Sequence, residues 1–422
     1  MRGKLRARGT ALAVIVIVSA SLFALPAVGA TDLPHVVNEQ PSPLTPHVLD
    51  GSVDAFAQVG DVMYAGGTFT QVTSPDGARH YDRPYLVAFD VHTGEVLPDT
   101  PTPNKKVIAL EAAPDGSALY IGGRFTKVDG ERAHRLAKWD VDTGRVDKDF
   151  QPRIDGRRVS DIGFADGMLM VAGAFQERLV ALDPDTGHDT GYLDLHISGN
   201  AGDRNDGFWP DVYRFAISPE QDRMVIIGNF GRVDLLPREQ IAMINLSPGG
   251  ASLSSWYSHR WTKDCATQLP WYTRDVDWMP DGRHFVVVTT GHSFPGTNKL
   301  CTSASMWSDA EFPLAQPVWV NYTGGNSLYS VAATSAAVYV SGHPRWLNNP
   351  EGDKSAGPGA VKRTGIGAID PLSGLALAWN PTRTRGHGAQ VLYTTPDGLW
   401  VGSDTNTFAG VHRGRIAFVP LD

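Results

Sequence analysis

The chain has two cysteines among 422 residues, and charged residues make up only 19% of it. Four cysteine or histidine ligands at zinc spacing are absent, which excludes a structural zinc module. Little charge combined with 42% apolar residues excludes an extensively disordered chain. Helical periodicity of any length is missing after residue 30, and no later run is apolar enough for a membrane helix. Gly-x-Ser-x-Gly, His-Glu-x-x-His and a glycine-rich phosphate loop are missing as well. The 45 glycines and 29 prolines show no three-residue period, so a collagen helix is excluded. Cations are the minority, and the formal net charge is −8. That argues against nucleic acid as a partner, since such binding depends on neutralising phosphates.

Residues 1–30 read as a secretory signal. Met1–Gly9 is basic, Ala11–Leu25 is nearly all apolar, and Ala27–Ala30 offers small residues for cleavage. These 30 residues hold four cations and no acid, so residues 31–422 carry −12. The expectation is an exported chain, secreted or held at the envelope, with residues 31–422 as one domain and no membrane span after cleavage. In that compartment Cys265 and Cys301 are expected to pair as a disulfide, closing a loop of about 37 residues.

One phrase recurs at intervals of about 56 residues. It reads Met63-Tyr-Ala-Gly-Gly-Thr-Phe69, Leu119-Tyr-Ile-Gly-Gly-Arg-Phe125, Leu169-Met-Val-Ala-Gly-Ala-Phe175 and Met224-Val-Ile-Ile-Gly-Asn-Phe230. Looser copies are Phe285–Gly291, Val338–His343 and Leu399–Asp404. Pro-Asp-Gly or Asp-Gly turns precede many copies, and a third strand such as Leu86–Asp90 or Leu136–Asp140 follows, then a turn such as His92-Thr-Gly94, Asp142-Thr-Gly144 or Leu372-Ser-Gly374. Seven units of four antiparallel strands predict an all-β fold, a seven-bladed β-propeller of four-stranded antiparallel blades. The seventh unit ends on its third strand, Arg415–Val419, so Asp32–Leu49 is expected to supply the fourth and close the ring.

The repeat separates scaffold from site. Arg83, Arg135, Arg178, Arg238 and Arg415 precede the third strand and read as structural; Asp90, Asp140, Asp183 and Asp370 close it and read as turn formers. Phe69, Phe125, Phe175 and Phe230 read as packing. The non-repeating residues fall in long loops on one face: Thr68–Tyr85, Ser198–Asp211, Ser258–Arg274, Gly291–Ala304, Gly342–Thr364 and Ser403–Gly414. That face collects Trp209, Trp261, Trp271, Tyr272 and Trp346 as candidate stacking or anchoring aromatics. Arg204, Asp206, His292 and His387 are the candidate polar contacts. Asp203, Asn205, Asp206 and Asp211 crowd oxygens around a glycine, a candidate calcium loop that lacks the closing Glu of the twelve-residue pattern. No other metal and no cofactor is expected.

Leu119-Tyr-Ile-Gly-Gly-Arg-Phe-Thr-Lys-Val-Asp-Gly130, followed by Arg135-Leu-Ala, resembles the delta-60 repeat of secreted bacterial β-propeller proteins. Residues 51–187 carry that resemblance best, and it implies fold rather than catalytic residues. Leu179-Val-Ala-Leu-Asp-Pro-Asp-Thr-Gly187 is more loosely similar to a phrase of quinoprotein dehydrogenase propellers. The leading expectation is a non-catalytic, monomeric recognition propeller whose long-loop face binds a glycan or a surface protein. The alternatives are a propeller enzyme (a carbohydrate hydrolase or lyase, or a quinone-dependent oxidoreductase) and a purely structural propeller.

Overall fold

The computed structural model describes residues 31–201, 210–262, 265, 272–291, 299–311 and 314–421. Apart from the single turn of 3-10 helix at His259–Trp261, the regular structure among these residues is antiparallel strand. Seven sheets carry the fold, and their innermost strands are Val53–Val59, Val107–Ala112, Gly156–Ala165, Val212–Ile217, Thr273–Trp278, Leu328–Ala333 and Ala389–Thr395. Each inner strand packs against the next in chain order, and Ala389–Thr395 packs against Val53–Val59, so the sheets close into a ring. The architecture is a β-propeller, and the sheets are its blades, numbered here in that order.

The fourth strand is uneven. In blades 2, 4 and 5 it is a true strand: Arg145–Val146, Ser252–Leu253 and Trp319–Tyr322. In blades 1, 3 and 6 it shrinks to one bridge each, Phe89 to Val96, Leu182 to Asp189 and Ile369 to Ala376. In blade 7 the N-terminal segment takes its place: the Asn38 amide donates to the Pro420 carbonyl at 3.0 Å and the Ser42 amide to Phe418 at 2.8 Å.

A repeated arginine marks the same substitution. Two residues before the start of the third-strand turn, Arg83, Arg238, Arg363 and Arg413 each donate one Nη to the preceding carbonyl. The other Nη reaches the outermost chain segment, at Leu97, Ser254, Leu377 and, in blade 7, Pro41. Arg178 and Arg415 likewise hold carbonyls, those of Pro210 and Val48. Of the arginines expected to be structural, Arg83, Arg178, Arg238 and Arg415 act through side-chain contacts to backbone; the Arg135 side chain makes no hydrogen bond among the described residues, and its carbonyl accepts the Gly123 amide. The residue just before the third strand adopts positive φ in every blade: Tyr85, Arg135, Arg178, Gln240, Thr302, Gly365 and Arg415. Asp90, Asp140, Asp183 and Asp370 each accept from the amide and hydroxyl of the Thr or Ser three residues on, which closes the outer turn and lowers their carboxyl pKa.

The Gly-Gly-x-Phe phrase has a packing cause. A Cβ on the first glycine would collide with the leading Val of the next blade, as at Gly122 against Val159 and Gly66 against Val107. Gly402 meets Val53 in the same way, so the ring closes with the contact that the other blades use. A Cβ on the second glycine, Gly123, would strike the Lys106 carbonyl. The phenylalanines are buried. Gly122→Val is expected to destabilise the fold by about 1–3 kcal/mol through overpacking; a denaturant melt that matches the wild type would refute this reading of the glycine.

The long loops are more regular than the sequence suggests. Three of them, and the shorter loops after the second strands of blades 2 and 4, fold into small hairpins, including Gln71–Thr73 with His80–Asp82, Lys127–Val128 with Glu131–Arg132, and Arg232–Val233 with Leu236–Pro237. Trp346–Leu347 with Val361–Lys362 and Thr407–Phe408 with Val411–His412 complete the set. Val72, Val128 and Val233, three residues after the repeated Phe, are fully buried beneath them. The loops after the second strand therefore belong to the repeat as well. Cys265 and Cys301 form a disulfide with Cα atoms 5.9 Å apart, inside the core between blades 4 and 5.

Candidate functional site

In each blade the pairing of the inner and second strands slips at one shared position near its start, and blade 3 has an additional slip at Gly156/Arg158. The shared slips fall at Val53/Ala55, Val107/Ala109, Val159/Asp161, Val212/Arg214, Thr273/Asp275, Leu328/Ser330 and Ala389/Val391. A β-bulge of this kind re-aims one side chain. The bulged residues are Asp54, Ile108, Ser160, Tyr213, Arg274, Tyr329 and Gln390. They share one level of the ring, at the end of the channel bordered by the long loops, and their identity changes from blade to blade.

Three of them build a ladder across neighbouring blades. The Arg158 guanidinium lies 6.0 Å from the Tyr213 ring centre, and Tyr213 meets Tyr272 edge-on at 5.9 Å. The Arg274 guanidinium then sits between Tyr272 at 5.3 Å and Tyr329 at 4.8 Å. Tyr329 meets His343 edge-on at 5.4 Å. The His343 Nδ1–H donates to the His387 carbonyl at 3.1 Å, while its Nε2 accepts the Ser327 amide at 3.3 Å. Those partners suit a neutral imidazole, and burial together with the charge of Arg385 lowers its pKa. Arg385 is fixed by the His343 carbonyl and Asn326 Oδ1. Asp404 accepts the His387 and Gly388 amides at 2.7 and 3.2 Å.

Deeper in the channel, carboxylates stitch the blades together. Asp161 accepts the Phe215 amide and pairs with Arg214 at 3.2 Å; Asp275 accepts the Val331 amide, and Asp277 the Ala333 amide. Burial pushes Asp275 up to about 6, against the pull of Arg214. Burial, reinforced by the Asp275 charge, pushes Asp277 up to about 7. Glu111 rises to about 8 through burial and the charge of Asp161. Among the described residues no group of three or more His, Cys, Asp or Glu side chains is arranged to hold a metal ion.

The residues singled out in the sequence fare differently. Tyr272 belongs to the ladder, and the backbone of His387 supports it. Trp346 is half-buried beneath Arg345, whose guanidinium lies 5.9 Å from the ring. Trp261 is a correction: it is 1% exposed and stacks against Trp307 at 5.3 Å, so it fills the core rather than presenting a face. Asp211 is a second correction. It is buried and paired with the Arg158 guanidinium, so the expected calcium loop loses it as a free ligand. Burial pushes its carboxyl up to about 6 against that pairing. Trp209, Trp271, Arg204, Asp206, His292, Asp203 and Asn205 lie outside the described residues. Tyr213, Arg274 and Tyr329 were missed, because their bulges show only when the seven inner strands are aligned by pairing register, and Arg385 was missed because it stands in the segment before the last inner strand.

No protein-family model matches the sequence, and no curated protein matches it. Solved structures do. The chain is similar to one described as "Structure of U3-55K", with a TM-score of 0.53 and 11% identity over 90% of this chain and 100% of that one. It is also similar to "Crystal structure of RRP9 WD40 repeats", with a TM-score of 0.52 and 12% identity over 90% and 99%. At this identity the likeness shows the fold alone, a β-propeller. Among the described residues no helix is long and apolar enough to cross a membrane.

Proposed function

We propose that this chain is an exported, non-catalytic recognition propeller that binds a partner protein at the long-loop mouth of its channel. The observation that carries the reading is the Tyr213–Tyr272–Arg274–Tyr329–His343 ladder. Tyrosine and arginine are the residues that dominate binding energy at protein interfaces, and here Tyr213, Arg274 and Tyr329 stand on rigid inner strands. A closed ring holds them without rearrangement, which reduces the entropic cost of association. The signal-like residues 1–30 support export, and the delta-60 resemblance agrees with it. A glycan remains the other ligand class for the same face, since tyrosine also stacks on sugars.

The test is site-specific photo-crosslinking in the producing cell. A photoreactive phenylalanine replaces Tyr329 at the mouth, or Leu372 on the opposite face, which is 91% exposed. The expected outcome is one discrete protein adduct from position 329 and none from position 372. Equal labelling at both positions, or none at 329, would overturn the reading.

A further inference from the structure

Resting on that reading of the mouth, we propose that Arg274 is an unfilled carboxylate anchor and that the partner presents it with an acidic peptide segment. Among the described residues Arg274 makes no hydrogen bond and no ion pair; its contacts are the faces of Tyr272 and Tyr329. Its Nε is buried without an acceptor, which leaves the Nη edge as the open one. Apart from Arg135, the arginines of the scaffold and mouth described above are differently placed. Arg83, Arg238, Arg363 and Arg413 hold carbonyls, Arg158 holds Asp211, Arg214 holds Asp161, and Arg385 holds Asn326 and a carbonyl.

Two tyrosine faces fix a guanidinium plane without accepting its protons. That leaves a rigid fork of donors with the geometry a carboxylate matches in two parallel hydrogen bonds. The nearby acid does not serve it, because Asp404 is engaged by the His387 and Gly388 amides. Arg385 and Arg345 add positive charge on the same side of the mouth. Asp275, next to Arg274, is turned to the Val331 amide and to Arg214, so the open donors at this level are cationic and favour an acidic occupant. A peptide is favoured over an acidic sugar because the ladder offers stacked edges and a single fork; a run of sugar rings would need a row of open aromatic faces, and the faces of Tyr272 and Tyr329 are already covered by the guanidinium.

The test measures fluorescence anisotropy of a labelled hexaglutamate peptide against residues 31–422. Hexalysine and oligogalacturonate are the comparison probes. Hexaglutamate is expected to bind, with affinity that falls as salt rises. Arg274→Gln is expected to weaken it by about thirtyfold or more. Arg274→Lys keeps the charge but loses the fork, and is expected to fall in between. Arg145→Gln, an exposed arginine on the outermost strand of blade 2, is expected to change binding by less than about threefold. Thermal melts establish that each variant is folded, and Arg274→Lys serves as the second variant should Arg274→Gln fail to fold. Unchanged binding by Arg274→Gln overturns the anchor while leaving the crosslinking result intact. Binding of oligogalacturonate but not hexaglutamate overturns the peptide. No binding of either acidic probe overturns the proposal.

Discussion

Deleting residues 31–50 lowers the melting temperature by about 15 °C or more, or leaves a chain that does not fold. The segment is tied to three blades. Val37 donates its amide to Tyr339 Oη at 2.9 Å in blade 6, and Trp379 Nε1 donates to the Asn38 carbonyl at 2.9 Å. Asn38 and Ser42 lie along blade 7, and His47–Val48 pairs with Val72–Thr73 at blade 1. Leu33, Val37 and Val48 are buried, and each contributes about 1.5–3 kcal/mol. Their loss alone approaches the whole stability of an ordinary domain, of about 5–15 kcal/mol. It also exposes the edge of Ile416–Pro420 and leaves the Arg413 Nη2 without the Pro41 carbonyl. Circular dichroism melts of residues 31–422 and 51–422 make the comparison. A peptide of residues 31–50 added in trans should restore part of the loss. An unchanged melt would mean that the ring holds without its clasp.

How much of this was readable follows from what repeats. The Gly-Gly-x-Phe phrase, the Asp turns and the missing last strand are each dictated by backbone geometry that recurs, so several copies expose them. Most of the repeated arginines were correctly assigned to structure, and Pro41 standing where Leu97, Ser254 and Leu377 stand explains the closure. What repeats least is hardest to see. Trp261 looked like a surface aromatic because its loop carries no periodic pattern, yet tertiary packing draws it under Trp307. The loop hairpins stayed hidden because their strands are two or three residues long. Arg274 was read as the end of a loop. Its role depends on a bulge that aligns it with Tyr213 and Tyr329, and on Tyr272, which enters from the connecting segment. The readable signal was a variable position inside an otherwise regular inner strand.

Glu111→Gln stabilises the protein at alkaline pH and leaves it nearly unchanged in mild acid. Glu111 lies in the channel facing the charge of Asp161, and its own charge acts on the Tyr393 hydroxyl, which burial pushes up to about 12. The Glu111 carboxyl is raised from 4.5 to about 8, with burial the larger cause. The unfolded chain releases this proton near the ordinary value, so between the two values the folded state holds a proton that the unfolded state lacks. Stability from this group is therefore full below the lower value, declines as pH rises, and levels off above the higher one. Asp275 at about 6 and Asp277 at about 7 act in the same direction. The turn aspartates, such as Asp90 and Asp140, are lowered and act oppositely, losing their contribution only in stronger acid. The wild type should thus melt highest in mildly acidic buffer. Glutamine keeps the shape and cannot ionise, so it removes a penalty on the order of a few kcal/mol at high pH. The expected gain is about 5 °C or more near pH 8.5, shrinking to almost nothing near pH 5. Melts of both proteins across this range decide it. A gain that is equal at both ends would assign the effect to packing, and a loss at high pH would mean that the carboxylate is stabilised rather than strained by its channel.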